Sequence, residues 1–206
     1  MIKIDIVVSG EVQTNCYLIY DSSTKAAAIV DPGADGAIVI SNIQKLGLKP
    51  EILINTHGHF DHILDDDKLR KQFNIPLAVH KDEVEMLADG TKNSSAFFGK
   101  EVRVLNPEIL LSDEQVIELS FTKFQVIATP GHTKGGICLL FDNFIVTGDT
   151  LFKEDVGRTD LKGGSYRTLM LSLEKLKKLP PELIVYPGHG DISTIDYEMK
   201  NNPYLR

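Results

Sequence analysis

Five of the six histidines in this chain, His57, His59, His62, His132 and His189, fall just after strand-like runs, in loops that begin or end with Gly or Pro. That placement constrains the fold more than any other feature. Side chains on loops at strand ends can converge on one rim of a sheet. The run Glu51-Ile52-Leu53-Ile54-Asn55 has the apolar character of a buried strand and leads straight into Thr56-His57-Gly58-His59-Phe60-Asp61-His62. At the chain's own His and Asp frequencies, H-x-H-x-D-H arises by chance in roughly one sequence of this length in a few thousand. The sixth histidine, His80, merely ends a strand-like segment and reads as structural.

The surrounding elements alternate. Ile4 to Val8, Cys16 to Tyr20, Ala26 to Val30 and Leu77 to His80 read as strands, with a turn at Asp21 to Thr24. A helix is expected from about Ala37 to Leu46, with Gly47 as its cap, followed by helices at 63–73 and near Asp82 to Ala88. In the second half, Val116 to Leu119, Phe124 to Ala128, Ile137 to Phe141, Phe144 to Thr147 and Leu183 to Tyr186 read as strands, with a hairpin turn at Asp142-Asn143. Ser165 to Leu179 has Leu169, Leu173 and Leu176 at helical spacing, with Glu174 four before Lys178. Strands alternating with helices in both halves suggest an α/β arrangement of two stacked sheets with helices outside. With no linker-like stretch and no tandem repeat, residues 1–206 are expected to form one domain.

The side chains on these loops suit a metal. Imidazole and carboxylate together favour zinc, and also iron or manganese; two cysteines, Cys16 and Cys138, are too few for an all-cysteine structural site. Both sit in apolar strand contexts and read as small buried residues. His57 and His59, two apart, point the same way in an extended loop, while Asp61 and His62 can turn toward a second position. His132, His189 and Asp149, the last able to bridge, complete seven protein ligands. Two ions sharing Asp149 and about 3.5–4 Å apart would lower the pKa of a water between them toward ~7, so hydrolysis is the expected chemistry.

Taken in order, the segments THGHFDH, TPGHT, GDTLF, GRTD and YPGHG, spread from Thr56 to Gly190, resemble the metallo-β-lactamase-fold hydrolases, and within them the glyoxalase II (hydroxyacylglutathione hydrolase) branch. The resemblance implies a four-layer αββα sandwich with the site at the rim between the sheets. It implies that His57, His59 and His132 hold a first metal and Asp61, His62 and His189 a second, with Asp149 bridging. Arg158, in Gly157-Arg158-Thr159-Asp160, resembles a basic substrate-binding residue; a buried salt bridge to Asp160 or another carboxylate is the other reading. Leu64-Asp65 stands where relatives often carry Gly-Gly, and only a local change in helix packing is expected. Only residues 191–206 follow the last candidate ligand, so the helical glutathione-binding domain of glyoxalase II is not expected. The pattern is similar to short glyoxalase II-like hydrolases and overlaps persulfide dioxygenases, which use one iron.

The expected activity is therefore metal-dependent hydrolysis of a thioester, such as an S-2-hydroxyacylglutathione, or of a related small ester. The alternative is a mononuclear iron persulfide dioxygenase, and a non-catalytic metal-binding module ranks last. A formal charge of −7 and no Lys/Arg run longer than Lys177-Lys178 argue against nucleic acid or an anionic membrane as partner. The N-terminus reads as neither signal peptide nor membrane span, so a cytoplasmic protein is expected and a periplasmic lactamase disfavoured. The run Asp65-Asp66-Asp67 reads as a solvated helix face. Phe97-Phe98 suits either a core anchor or an apolar wall over the substrate. Oligomeric state is not readable from the sequence.

Overall fold

The computed structural model describes residues 1–33, 35–99 and 101–206. The chain runs through β1 (Ile2–Ser9), β2 (Thr14–Asp21), β3 (Ala26–Val30), α1 (Gly36–Leu46), β4 (Lys49–Ile54), α2 (Phe60–Ile63), α3 (Asp66–Phe73), β5 (Leu77–His80) and α4 (Val84–Leu87). It continues with β6 (Ile109–Leu111), β7 (Val116–Glu118), β8 (Lys123–Ala128), β9 (Ile137–Leu140), β10 (Phe144–Gly148), β11 (Leu151–Phe152) and β12 (Asp155–Val156). α5 (Tyr166–Leu176), β13 (Ile184–Pro187), β14 (Ser193–Thr194) and α6 (Ile195–Asn201) close it.

Two six-stranded sheets result, ordered β1-β2-β3-β4-β5-β6 and β14-β13-β10-β9-β8-β7. Side-chain alternation explains why they stack. In β2, Tyr17 and Ile19 face the apolar layer that also holds Val30, Ile54, Phe124, Val126, Leu139 and Val146, so this layer lies between the sheets. Cys16 and Leu18, on the opposite face, meet Ile29, Val39, Ile43 and Leu69 beneath α1 and α3. The second sheet does the same with Cys138, Ile145 and Val185 against Leu173 and Leu176 of α5 and Ile195 of α6. Each fully buried Leu or Ile contributes about 1.5–3 kcal/mol, and all three layers hold several. The expected αββα sandwich is the observed architecture.

Several local expectations change. The helix expected at 63–73 is two pieces, because Asp65 leaves helical geometry and its carboxylate accepts the Gly36 N–H at 2.7 Å, tying α1 to the break. Asp66 is fully buried and accepts from the Asn55 amide at 3.2 Å, so the 65–67 run is not a solvated face; Asp67 alone points out, pairing with Arg70. α5 ends at Leu176, and Glu174 pairs with Lys177 at 2.8 Å rather than with Lys178. β6, β14, α6 and the β11–β12 pair carry too little periodicity to be read from the sequence.

β3, β4 and β5 run parallel, as do β10 and β13, and β8 joins that direction through antiparallel β9. The ends of β3, β4, β8, β10 and β13 feed residues onto one rim between the sheets. All five clustered histidines follow from that geometry.

Candidate metal centre

The loop after β4 carries His57 and His59, and α2, which follows it, carries Asp61 and His62; the loop after β8 carries His132, Asp149 follows β10, and His189 follows β13. Among the described residues, their ligand atoms form three groups, each within 4.8 Å: His57, His59 and His132; His57, His62 and Asp149; and Asp61, His62 and His189. All seven residues expected from the sequence are brought together. Asp149 lies between the outer sets, with Oδ1 3.3 Å from His62 Nε2 and Oδ2 3.4 Å from His132 Nε2 and 3.6 Å from His189 Nε2.

The donor set fits metal ions. His59 Nδ1 faces His132 Nε2 at 2.8 Å, and His62 Nε2 faces His189 Nε2 at 3.3 Å, so imidazole nitrogens converge where a proton or cation must separate their lone pairs. Buried His57 Nε2, His59 Nε2 and Asp149 Oδ1 have no hydrogen-bond partner in the protein, a costly state that a cation relieves. Burial is the main cause holding the His57 imidazole well below its ordinary pKa and His59 down to about 3. Burial also pulls on His62 and His189, but neighbouring carboxylates outweigh it. Asp61, Asp149 and Asp31 raise His62 well above its ordinary value, and Asp149 and Asp61 raise His189 to about 10. Burial would push Asp61 and Asp149 up; His62 and His189 instead hold Asp61 at about 2 and Asp149 well below the carboxylate range.

A surrounding shell fixes these side chains. Asp31, fully buried at the end of β3 with φ of 52°, accepts from the Thr56 amide at 2.7 Å and the Thr56 hydroxyl at 2.6 Å, and its Oδ2 lies 3.1 Å from His62 Nδ1. Positive φ at a non-glycine residue is strain held in place by such contacts. Glu83 is also fully buried, accepting from the Gly58 amide at 2.7 Å and the Gly135 amide at 2.6 Å, and so staples the loop of His57–His62 to that of His132. His132 Nδ1 donates to the Arg158 carbonyl at 2.7 Å, and His189 Nδ1 to the Val12 carbonyl at 3.0 Å. Thr14 Oγ1 donates to Asp61 at 3.1 Å. Asn15 Nδ2 grips the Pro187 and Gly190 carbonyls, both at 3.0 Å.

Two glycines are present because the cage is tight. A Cβ at Gly188 would sit 2.1 Å from Asp149 Oδ1, and one at Gly157 would sit 1.8 Å from the Asp149 carbonyl oxygen. Gly157 therefore lets the Gly-Arg-Thr-Asp segment approach until its backbone reaches His132. The Arg158 side chain, by contrast, is exposed and makes two 2.7 Å hydrogen bonds to the Asp160 carboxylate, so the buried salt bridge is not observed.

The sequence reading missed Asp31 and Glu83. Asp31 had one signal, a carboxylate at a strand end within Asp-Pro-Gly; Glu83 had none. His80 is structural as expected: buried, it accepts from the Asp82 amide at 3.3 Å and caps the short turn after β5. Cys16 and Cys138 are buried thiols, with burial pushing both up, Cys138 to about 11.

The cage opens into a cleft of about 530 Å³, walled by Phe97, Phe98 and Phe152 and edged by Arg158. Phe97 is 78% exposed and Phe98 60% exposed, so neither is a core anchor, and both line the cleft.

The model of the Metallo-beta-lactamase superfamily matches residues 9–189. The chain is 34% identical to the probable metallo-hydrolase YqgX of Bacillus subtilis, over 95% of this chain and 94% of that one. It is 33% identical to the hydroxyacylglutathione hydrolase GloC of Haemophilus influenzae, over 98% of each. Among solved structures, the B3 metallo-beta-lactamase BLEG-1 superposes with a TM-score of 0.95 at 36% identity, covering 98% of this chain and 99% of that one.

Proposed function

Because the chain belongs to the metallo-beta-lactamase superfamily, we propose that it is a metal-dependent hydrolase of a small-molecule thioester, or related ester, with S-2-hydroxyacylglutathione as the reference substrate. The observation that carries this reading is the pair of candidate triads, with Asp149 between them, at the floor of an open, aromatic-walled cleft. The similarity to GloC supports a thioester as the substrate class.

His57, His59 and His132 would hold one ion and Asp61, His62 and His189 the other, with Asp149 between them; zinc is proposed first, iron or manganese next. Bound there, such ions supply Lewis acidity and a nucleophile at neutral pH. The chain's own residues do the rest. Asp31 and Thr56 fix the orientation of His62 and His57, and Glu83 keeps the two ligand-bearing loops in register. The phenylalanine walls exclude bulk water from one side of the substrate, which strengthens electrostatic interactions inside the cleft. Arg158, at the cleft edge and paired with Asp160, would meet a substrate carboxylate that displaces that partner. In the reaction, water adds to the carbonyl carbon, the C–S bond breaks, and a carboxylate, a thiol and one proton are released.

Elemental analysis of the purified protein, paired with S-lactoylglutathione hydrolysis, tests the reading. Two ions per chain with thioester cleavage are expected. One iron per chain, with oxygen uptake on glutathione persulfide and no hydrolysis, would replace it with a dioxygenase. Turnover of a β-lactam alone would replace the thioester with an amide ring, and bound metal with no turnover on any of these substrates would leave a binding module.

A further inference from the structure

A second cavity, of about 310 Å³, lies beside the first on the Asp61 side of the cage. Val12, Phe60, Asp61 and Phe98 line both. The Phe60 and Phe98 rings, with centroids 4.5 Å apart, form the ridge between them. Away from the ridge, the smaller cavity is walled by Leu64 of the α2–α3 break and by Val102.

The chemistry of its lining is one-sided. Apart from Asp61, which belongs to the cage, the side-chain charge among its described lining residues is acidic, on Glu11, and it opposes an anionic group. Its one side-chain hydroxyl, on Thr14, already donates to Asp61. Phe60, Phe98, Leu64, Val102 and Val12 supply the remaining side-chain surface. At about 30 Å³ per water-sized unit, the volume takes on the order of ten non-hydrogen atoms, the size of a phenyl-bearing or branched acyl group.

We propose that this cavity is a subsite for an uncharged, apolar acyl group of the substrate. The assignment to the acyl side rests on the hydrolase reading above. A carbonyl carbon held over Asp149 has two substituents that must diverge. The larger cleft, which includes His132 and Arg158, has room for the thiol carrier, and the smaller cavity beside Asp61 receives the acyl chain. The substrate class is then an arylalkyl or branched-chain acyl thioester in preference to a short hydroxylated one. Leu64 and Phe98 set the preference by closing two walls of the cavity.

The test uses the metal-loaded full chain and glutathione thioesters that share a carrier and differ in acyl group: acetyl, lactoyl, isovaleryl and phenylacetyl. The expected result is a kcat/KM for phenylacetyl at least about tenfold above that for acetyl, in keeping with the size of hydrophobic-pocket discrimination. Leu64→Phe, which fills the cavity, and Phe98→Ala, which opens it, each lower that ratio by about tenfold. Phe98 is on the surface, so its variant keeps the proposal testable if Leu64→Phe fails to fold. Saturation-transfer NMR with phenylacetone, an uncharged mimic without a cleavable bond, supplies a readout that does not require turnover. Binding to the wild type that is weakened in both variants supports the subsite, even where no thioester is cleaved and the hydrolase reading itself falls. Thioester cleavage with no preference for the bulkier acyl groups, or phenylacetone binding that neither variant changes, overturns the subsite and leaves the hydrolase reading standing.

Discussion

The cage and the walls of its cleft are built by opposite means. The cage stands on strand ends and is held more than once: Asp31 holds Thr56 and stands against His62, Glu83 joins two loops, and backbone carbonyls orient His132 and His189. The walls are held less firmly: Phe97 and Phe98 stand between α4 and β6 and turn most of their surface to solvent, and Phe152 belongs to the two-residue strand β11. Chemistry that requires donors placed to a fraction of an ångström is kept on the sheets, while the surfaces that meet a variable substrate are left where a substitution costs the fold little.

The sharpest way to break the contrast is Asp149→Ala. Loss of an outer partner of a metal ligand already costs about 10–100-fold, so removing the carboxylate between both triads is expected to lower kcat/KM by more than about a hundredfold and to reduce metal content. Titration with zinc and steady-state kinetics measure both. Glu83→Ala comes next. It leaves two buried amides without an acceptor, at about 1–3 kcal/mol each, and should weaken metal retention about tenfold as the two loops lose their staple. Denaturant melts and chelator competition read these effects, and an unchanged chelator profile would show that the loops keep register without Glu83.

A third prediction concerns pH and lies just behind the cage. Burial holds the Asp66 carboxyl well above the ordinary carboxylate range, so the folded chain keeps a proton that the unfolded chain releases near pH 4. Its contribution to stability is full below that unfolded pKa and declines as pH rises toward the folded one. Asp66→Asn, which needs no proton, should flatten the thermal stability profile between pH 4 and 7 and be at least as stable as the wild type at pH 7. The smallest effect is expected in the wall: Phe97→Ala should change unfolding free energy by no more than about 0.5 kcal/mol and leave metal content untouched, as calorimetry and elemental analysis would show.

The same contrast explains what could be read from the sequence. Candidate ligands were legible because His and Asp at fixed spacing, directly after apolar runs, have few other uses; β3 and β5 were legible to the residue because β3 ends at Asp31-Pro32-Gly33 and β5 begins just after Pro76. Asp31, Asp66 and Glu83 were not, because a buried carboxylate is indistinguishable from a solvated one until tertiary contacts supply its donors. Asp66 sat inside a run of three acids that local patterning assigns to solvent. The break between α2 and α3 escaped for a related reason: it depends on the Gly36 amide, which is distant in sequence and adjacent only in the folded chain. Arg158 shows the limit from the other side. Its motif was legible, yet the part that touches the cage is its carbonyl, which any residue possesses.

The grip of Asn15 on the loop around His189 joins one of the first strands to one of the last. During synthesis, the ribosome releases His57, His59 and His132 well before His189, so the first triad can gather while the partner that β2 awaits is still unmade. Closing that long-range contact is a late and slow event in folding. A chain arrested before β13 would therefore emerge with the first candidate triad translated and the second still short of His189.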